Sequence, residues 1–116
     1  MPAPISRKTY ADILLKRGEY QEAYGQYLRL IEQYPDTVEV RRTLATLAIG
    51  RGDWAEAERH GQAALQLTPD DPATQAIGAA LDYRKGIMDR DAALQAAAVT
   101  RAQQIQALLP EDPVAR

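Results

Sequence analysis

Apolar positions recur at helical spacing along the chain, and isolated glycines and prolines divide them into six segments. Between Ser6 and Arg17, for example, the alanine, tyrosine, isoleucine and leucine residues cluster on the period of an α-helix rather than alternating as in a strand. Glycine ends some segments because it takes a positive φ without a Cβ clash, and proline ends others because it cannot continue a helix. The pattern predicts six helices and no strand.

The predicted helix boundaries follow from these stops and from the polar residues that precede each segment. Asp53 and either Asp36 or Thr37 can accept the free backbone N–H groups at a helix start, and Asp71 precedes Pro72, a proline suited to the first turn. Gly18 and Gly52 end two helices, and Pro110 ends the last one. The predicted helices span about 6–17, 20–34, 38–51, 54–68, 72–85 and 89–109.

A repeat of about 34 residues underlies this division. Glycine, acidic, aromatic, alanine and proline residues recur in phase, and chance does not account for their combined recurrence. They include the glycines at 18, 52 and 86, the alanines at 23 and 57, the prolines at 35 and 69, and the stretch 17–23, which aligns with 51–57.

Paired helices that repeat at this interval resemble the tetratricopeptide repeat family, and the resemblance extends from about Pro4 to Asp112. The small residues of the family motif are present as Ala11, Ala45 and Ala79 in first helices and as Ala23 and Ala57 in second helices. The aromatic residue common early in the first helix is replaced by Arg7, Arg41 and Gln75. The resemblance implies an all-α solenoid of three helix–turn–helix repeats, a single domain over 1–116 with repeats at about 4–37, 38–71 and 72–112.

The third repeat departs from the other two. The interval from Gly86 to Pro110 is longer than the corresponding interval in the first two repeats, so we expect the last helix to be about two turns longer. Its inward residues are either Ala92, Ala96 and Val99 or Ala98, Ala102 and Ile105. This helix can cap the solenoid, with Gln95, Arg101, Gln103, Gln104 and Gln106 on one side, or its alanine-rich side can pair with a second copy.

Two ionisable residues need a structural interpretation. Asp82 aligns with the apolar positions Leu14 and Ala48, and we expect it to be exposed beside Arg84 or Lys85, or to contact a basic partner group. His60, the single histidine, follows Glu56 by one helical turn, and we expect it to face solvent in a local pair with that residue.

Composition excludes several classes of function. With 14 Lys+Arg against 16 Asp+Glu, the chain lacks the basic excess of a nucleic-acid binder. Without cysteine and with one histidine, it offers no thiolate nucleophile and no histidine-based metal cluster, and Asp89 and Asp91 are interpreted as helix caps. We expect no enzymatic activity, no cofactor and no metal.

The first residues lack the apolar run of a signal peptide, and no stretch approaches a membrane span. We therefore expect a cytoplasmic protein without membrane contact, provided that the chain is not part of a longer one. Its alanine-rich composition suggests a bacterial source.

The resemblance further implies that the first helices line a concave groove for a partner. An apolar row along that groove would hold the partner while basic side chains steer its acidic groups; alternatively, the apolar residues only pack neighbouring first helices together. The carboxylate-binding pattern of some relatives is absent, since Asp12, Thr43, Ala73 and Ile77 replace its residues. The predicted groove residues are Lys8, Asp12, Leu15, Arg42, Thr46, Ile49, Ala76, Ala80, Tyr83 and Arg84.

These features predict a non-catalytic module that binds a peptide or helix of a partner protein, as an adaptor, scaffold or assembly factor. Three alternatives remain open. The chain is a dedicated chaperone of a bacterial secretion or surface-assembly system, a structural homo-oligomer built through the last helix, or an accessory domain of an enzyme.

Overall fold

The structure is a computed structural model that describes residues 6–108, which form six α-helices joined by short turns. The predicted all-α class with six helices is confirmed, and no strand occurs within this range. The predicted end of the last helix at Pro110 lies outside the described residues. The helices are α1 (Arg7–Lys16), α2 (Tyr20–Gln33), α3 (Val38–Gly50), α4 (Trp54–Leu67), α5 (Pro72–Met88) and α6 (Ala92–Leu108).

The helices pack as successive antiparallel pairs. Within a pair, α1 packs on α2, α3 on α4 and α5 on α6, while α2 against α3 and α4 against α5 join one pair to the next. The first helices α3 and α5 also contact each other. The resulting body is elongated, with extents of 58 × 34 × 25 Å, which is the α-solenoid expected from the repeat.

Alanine lies at the closest crossings between helices. Ala11, Ala23, Ala45, Ala48 and Ala57 are fully buried, because two helix backbones approach closely only where side chains are small. Larger side chains fill the space around these crossings. The largest fully buried ones are Tyr27, Leu44, His60, Val40 and Thr74.

The turns between paired helices share one geometry. Gly18 and Gly52 have φ of +81° and +77°, and the next amide donates back to the helix, from Glu19 to Leu14 O at 2.9 Å in the first turn. In the third turn the corresponding bond runs from Asp91 N to Gly86 O at 2.8 Å, and the positive φ of 53° belongs to Arg90. The prediction that the fifth helix ends at about residue 85, just before Gly86, is therefore wrong.

Gly86 lies inside α5 because its role is close packing rather than a turn. A Cβ at this position would lie 2.8 Å from Gln95 Cγ and 3.0 Å from Gln95 N, both on α6. The helix continues to Met88 and has 17 residues, against 13 in α3. One additional helical turn therefore lies in α5, and residues after it are displaced by that turn from the phase of the first two repeats.

The extra length of the third repeat is shared between its two helices. The described part of α6 has 17 residues, against 14 in α4, so the prediction of two extra turns in the last helix alone is wrong. Of the two predicted inward sets, the second, which consists of Ala98, Ala102 and Ile105, agrees better with the structure. Ala98 and Ile105 are the buried residues of α6, whereas Ala102 is exposed.

Asp82 is explained by the same shift. Gly86, and not Asp82, occupies the place of Leu14 and Ala48 in the third repeat. The half-exposed carboxylate of Asp82 accepts a hydrogen bond from Arg101 Nη1 at 3.1 Å, so the predicted neighbours Arg84 and Lys85 are not its partners.

The sequence predicts that the polar residues of α6 lie on one side of the helix, but in the structure they face different directions. Gln95 Nε2 donates to Gly86 O at 3.1 Å, and Arg101 reaches Asp82, so both of these side chains face α5. Gln103, Gln104 and Gln106 are exposed. The expectation of a single polar capping side on α6 is therefore wrong.

His60 is fully buried rather than facing solvent, which corrects the sequence prediction, although its pairing with Glu56 is confirmed. Its Nε2 lies 3.2 Å from Glu56 Oε2, and its Nδ1 lies 3.2 Å from Arg41 Nη1. Since an arginine only donates, Nδ1 accepts and Nε2 carries the proton. Tyr24 also donates to Glu56 Oε2 at 3.2 Å, so a polar network links α2, α3 and α4.

Candidate functional site

A groove of about 690 Å³ runs across the first helices of the three repeats. Every residue that lines it belongs to α1, α3 or α5, which is the helix set predicted to face a partner. Its floor is mainly apolar, and its polar members lie on α3. The lining residues are Leu15, Glu39, Arg42, Thr43, Thr46, Leu47, Ile49, Ala73, Ala76, Ile77 and Ala80. We call this surface the concave groove.

Six of the ten predicted partner-binding residues lie together in the concave groove. Two of them, Leu15 and Ile49, also pack against the hydrophobic core, so each serves the fold as well as the surface. The alternative that these residues join neighbouring helices therefore has support from the same contacts. The six are Leu15, Arg42, Thr46, Ile49, Ala76 and Ala80.

Five lining residues were not among those predicted, although the repeat contains the signal for them. Glu39 and Ala73 are one repeat apart, as are Thr43 and Ile77, so each pair occupies equivalent positions on α3 and α5. Leu47, the fifth, both packs on the core and reaches the groove.

Lys8 and Asp12 form an ionic cluster beside the α1 side of the groove. Lys8 Nζ lies 3.0 Å from Asp12 Oδ2 and 3.2 Å from Glu39 Oε1, which connects α1 to α3. Tyr27, buried in α2, donates its hydroxyl to Asp12 Oδ1 at 2.5 Å. The cation of Lys8 is therefore shared between two carboxylates of the same chain.

These contacts keep the cluster charged. Burial acts to raise the pKa of Asp12, but hydrogen bonds from Tyr27 and Lys8 outweigh it and lower that pKa below its ordinary value. The hydrogen bonds to Asp12 and Glu39 raise the pKa of Lys8. Burial, together with the bond to Asp12, raises the pKa of Tyr27. Asp12 is therefore an anion and Lys8 a cation at neutral pH.

Arg42 likewise pairs with a carboxylate of the same chain, where α3 meets the start of α5. Its Nη1 lies 3.1 Å from Asp71 Oδ2 and 3.4 Å from Thr74 Oγ1, at the start of α5. Asp71 is also the N-cap of α5, since it accepts from Thr74 N at 3.1 Å. Lys8 and Arg42 thus hold neighbouring first helices together, and intramolecular carboxylates neutralise both.

Arg84 and Tyr83 lie apart from the other predicted residues. The guanidinium of Arg84 lies 5.2 Å from the centroid of the Trp54 ring on α4, and both side chains line a separate cavity of about 490 Å³. Arg84 does not line the concave groove, because this cation–π contact turns it toward the second helices. Tyr83 is exposed on α5 but does not line the concave groove.

Two further observations concern the described residues, 6–108. No group of three or more histidine, aspartate or glutamate residues there is arranged to hold a metal ion, and Asp91 caps α6 by accepting from Leu94 N at 3.0 Å. None of the helices in this range has the length and apolar character needed to cross a bilayer.

Comparison with known proteins gives a family for the chain. The sequence model described as tetratricopeptide repeat matches residues 10–72, just over half of the 116 residues. The match covers the first two helix pairs and ends where the third, with its additional turn in α5, begins. A search of curated proteins gives no match. With the helix pairs, the alanine crossings and this match in agreement, the chain belongs to the tetratricopeptide repeat family, whose repeats mediate protein–protein interactions.

Proposed function

We propose that the protein binds an apolar segment of a partner protein in its concave groove and acts as a non-catalytic adaptor or assembly factor. The observation that carries this proposal is the groove itself, which has a volume of about 690 Å³ and is lined only by residues of the first helices. Thr46 and Ala73 on this surface are exposed, so a partner side chain reaches the floor without any movement of the helices.

The chemistry of the floor favours apolar partner side chains. Leu15, Leu47, Ile49 and Ile77 surround small alanine side chains, which leave space between the helices for inserted groups. Burying a leucine- or valine-sized side chain in such a place stabilises a complex by roughly 1.5–3 kcal/mol before the costs of association are subtracted.

The charges around the groove disfavour an acidic partner. Lys8 and Arg42, the cations expected to steer acidic groups, already contact Asp12, Glu39 and Asp71. Binding a partner carboxylate would require breaking these pairs or adding a third anion beside them. We therefore infer a partner segment that is apolar and neutral or weakly basic, without a terminal carboxylate in the groove.

This proposal is tested by selecting peptides from a phage-displayed random library on the purified protein. We expect the selected peptides to be rich in apolar residues and poor in aspartate and glutamate. Thr46→Glu places a carboxylate on the groove surface, and we expect it to lower the affinity for these peptides by at least about tenfold.

The matched control is Thr100→Glu, the same substitution at an exposed position on α6. We expect it to leave peptide affinity unchanged, with circular dichroism confirming the helical content of both variants. Acidic peptides, or peptides that bind the Thr46→Glu protein as tightly as the wild type, would contradict the proposal.

A dedicated chaperone of a bacterial secretion or surface-assembly system is the second candidate, and the apolar floor of the groove favours it. Such a chaperone holds one client segment in a stable 1:1 complex, whereas an adaptor exchanges partners. Co-expression with the product of a neighbouring gene distinguishes them, since only a chaperone's client should depend on this protein for its solubility.

A further inference from the structure

The two ends of the solenoid carry surfaces whose equivalents inside the molecule are covered by a neighbouring repeat. Tyr10 and Ile13 on α1 align with Leu44 and Leu47 on α3, one repeat later. Leu44 is fully buried and Leu47 is partly buried against the core, because α2 of the preceding repeat packs on α3. Tyr10 and Ile13 are each 44% exposed. We call these two residues the N-terminal face.

The contact between α4 and α5 shows how such a face is covered. Leu81 of α5, which aligns with Ile13, lies so close to Gly61 of α4 that a Cβ there would be 2.7 Å from Leu81 Cδ1. Leu65 of α4 lies against Gly78, which aligns with Tyr10; a Cβ at Gly78 would be 3.4 Å from Leu65 Cδ1.

The outer side of α6 is the equivalent of that α4 surface. The N-caps Asp53 and Asp91 mark the same position in the second and third repeats, so Trp54, Gly61 and Leu65 of α4 correspond to Ala92, Val99 and Gln103 of α6. All three α6 residues are exposed, and Val99 is 45% exposed. We call these three residues the C-terminal face.

The C-terminal face is uncharged. Arg101 is the one charged residue between Ala92 and Leu108, and it faces α5 through its pair with Asp82. On α1, the charges of Lys8 and Asp12 are joined to each other beside the groove. Exposed glutamines make the outer side of α6 polar but uncharged, and exposed cations of α1 flank Tyr10 and Ile13 one helical turn away.

We propose that a second copy of this chain docks its N-terminal face on the C-terminal face of the first, so that the proteins associate head to tail. The interface has the topology of those that join α2 to α3 and α4 to α5, but its helices lie further apart than α4 and α5, because Val99 and Tyr10 stand where those helices have glycine. Val99 of one copy lies against Ile13 of the next, and Gln103 lies against Tyr10. Such a contact uses two different surfaces, so it does not close on itself and permits further copies to add. It is independent of the concave groove.

The experiment is light scattering on the protein alone, with no partner, over a range of concentrations. We expect the weight-average mass to rise from 12.8 kDa as the concentration increases from roughly 10 μM to roughly 1 mM, the range of a weak interface. Val99→Glu and Ile13→Glu each place a charge on one face, and we expect each variant to remain at 12.8 kDa throughout.

Mixing the two variants tests the head-to-tail geometry. Val99→Glu leaves the N-terminal face intact, and Ile13→Glu leaves the C-terminal face intact, so an equimolar mixture should form a species of two chains and nothing larger. Ile87→Glu is the matched control, since Ile87 is also 44% exposed but lies on α5 and belongs to neither face. It should associate as the wild type does.

Three results would overturn the proposal. The first is a wild-type mass that stays at 12.8 kDa over the whole range of concentration. The second is association that survives Ile13→Glu, which would indicate that α6 pairs with α6. The third is a mixture of the two variants that stays monomeric. Circular dichroism of each variant shows that a lost association does not result from unfolding. Because no peptide is present, none of these results bears on the function proposed for the groove.

Discussion

Single alanine residues set how closely the two helices of a repeat approach. Ala57 of α4 is fully buried, and its equivalent in the first repeat, Ala23, is buried to the same extent. We expect Ala57→Leu to lower the free energy of unfolding by about 1–3 kcal/mol, because three added carbons have no space between closely packed helices. Urea denaturation measures this change.

Ala55 provides the control for this substitution, since it lies on the same helix but is exposed. Ala55→Leu should change the free energy of unfolding by less than about 0.5 kcal/mol. If both variants were equally stable, the crossing of α3 and α4 would not be as close as the structure shows.

Buried His60 gives the protein a dependence of stability on pH. Burial lowers the pKa of His60 from 6.5, Arg41 and Arg59 lower it further, and Glu56 opposes them only in part. Between the folded pKa and 6.5 the unfolded chain binds more protons than the native one. The stability that the neutral histidine contributes is therefore fully present above pH 6.5 and decreases as the pH falls below 6.5.

Thermal unfolding from about pH 7.5 to about pH 5.5 measures this dependence, and we expect Tm to fall over the range. His60→Gln retains polar atoms but does not titrate, so its Tm should change less. Asp12 does not interfere, because its lowered pKa confines its contribution to still more acidic solutions. Equal pH dependence in the two proteins would show that another group is responsible.

At the scale of elements, the turn between α5 and α6 differs from the other two in one residue. Arg90 occupies the left-handed position that glycine occupies at 18 and 52, with φ of 53°. A residue with a Cβ is strained in this conformation by roughly 1–2 kcal/mol.

We therefore expect Arg90→Gly to raise the free energy of unfolding by about 1 kcal/mol, less whatever the more flexible unfolded chain gains in entropy. The reciprocal control is Gly52→Ala, which should destabilise by a similar amount, since nothing lies within 4 Å of its Cβ and only the positive φ of +77° opposes it. Chemical denaturation compares both with the wild type. A loss of stability in Arg90→Gly would show that the arginine side chain contributes more than its backbone strain costs.

The sequence predicts these elements well where local rules decide them. The ends of α1, α2, α3 and α4 fall within a residue or two of the prediction, because two glycines and two prolines mark them. The end of α5 is missed because Gly86 keeps the phase of the repeat while serving as a packing residue. A glycine needed for close approach and a glycine needed for positive φ look the same in a sequence, and only the position of Gln95 separates them.

At the scale of the whole molecule, the repeat and the family resemblance that it carries predict the solenoid and a groove on the first helices, and six of the ten predicted residues line that groove. The remainder depends on contacts between different helices. Nothing local to Arg84 indicates that it stacks on Trp54. The spacing to Glu56 predicts the pairing of His60, but nothing local to His60 indicates that its ring is buried beside Arg41. Lys8 and Arg42 were placed correctly on α1 and α3, but their neutralisation by Glu39 and Asp71 required the packed structure.

The added turn also makes α5 longer than the equivalent helix α3 of the second repeat, so its C-terminal end projects further. One extra turn raises the C-terminal end of α5 by about 6 Å relative to a helix of the length of α3. Ile87 and Met88, both exposed, lie on this raised edge. A polypeptide bound across the three repeats, as proposed, would meet this step at the third repeat, so its two possible orientations would differ in energy.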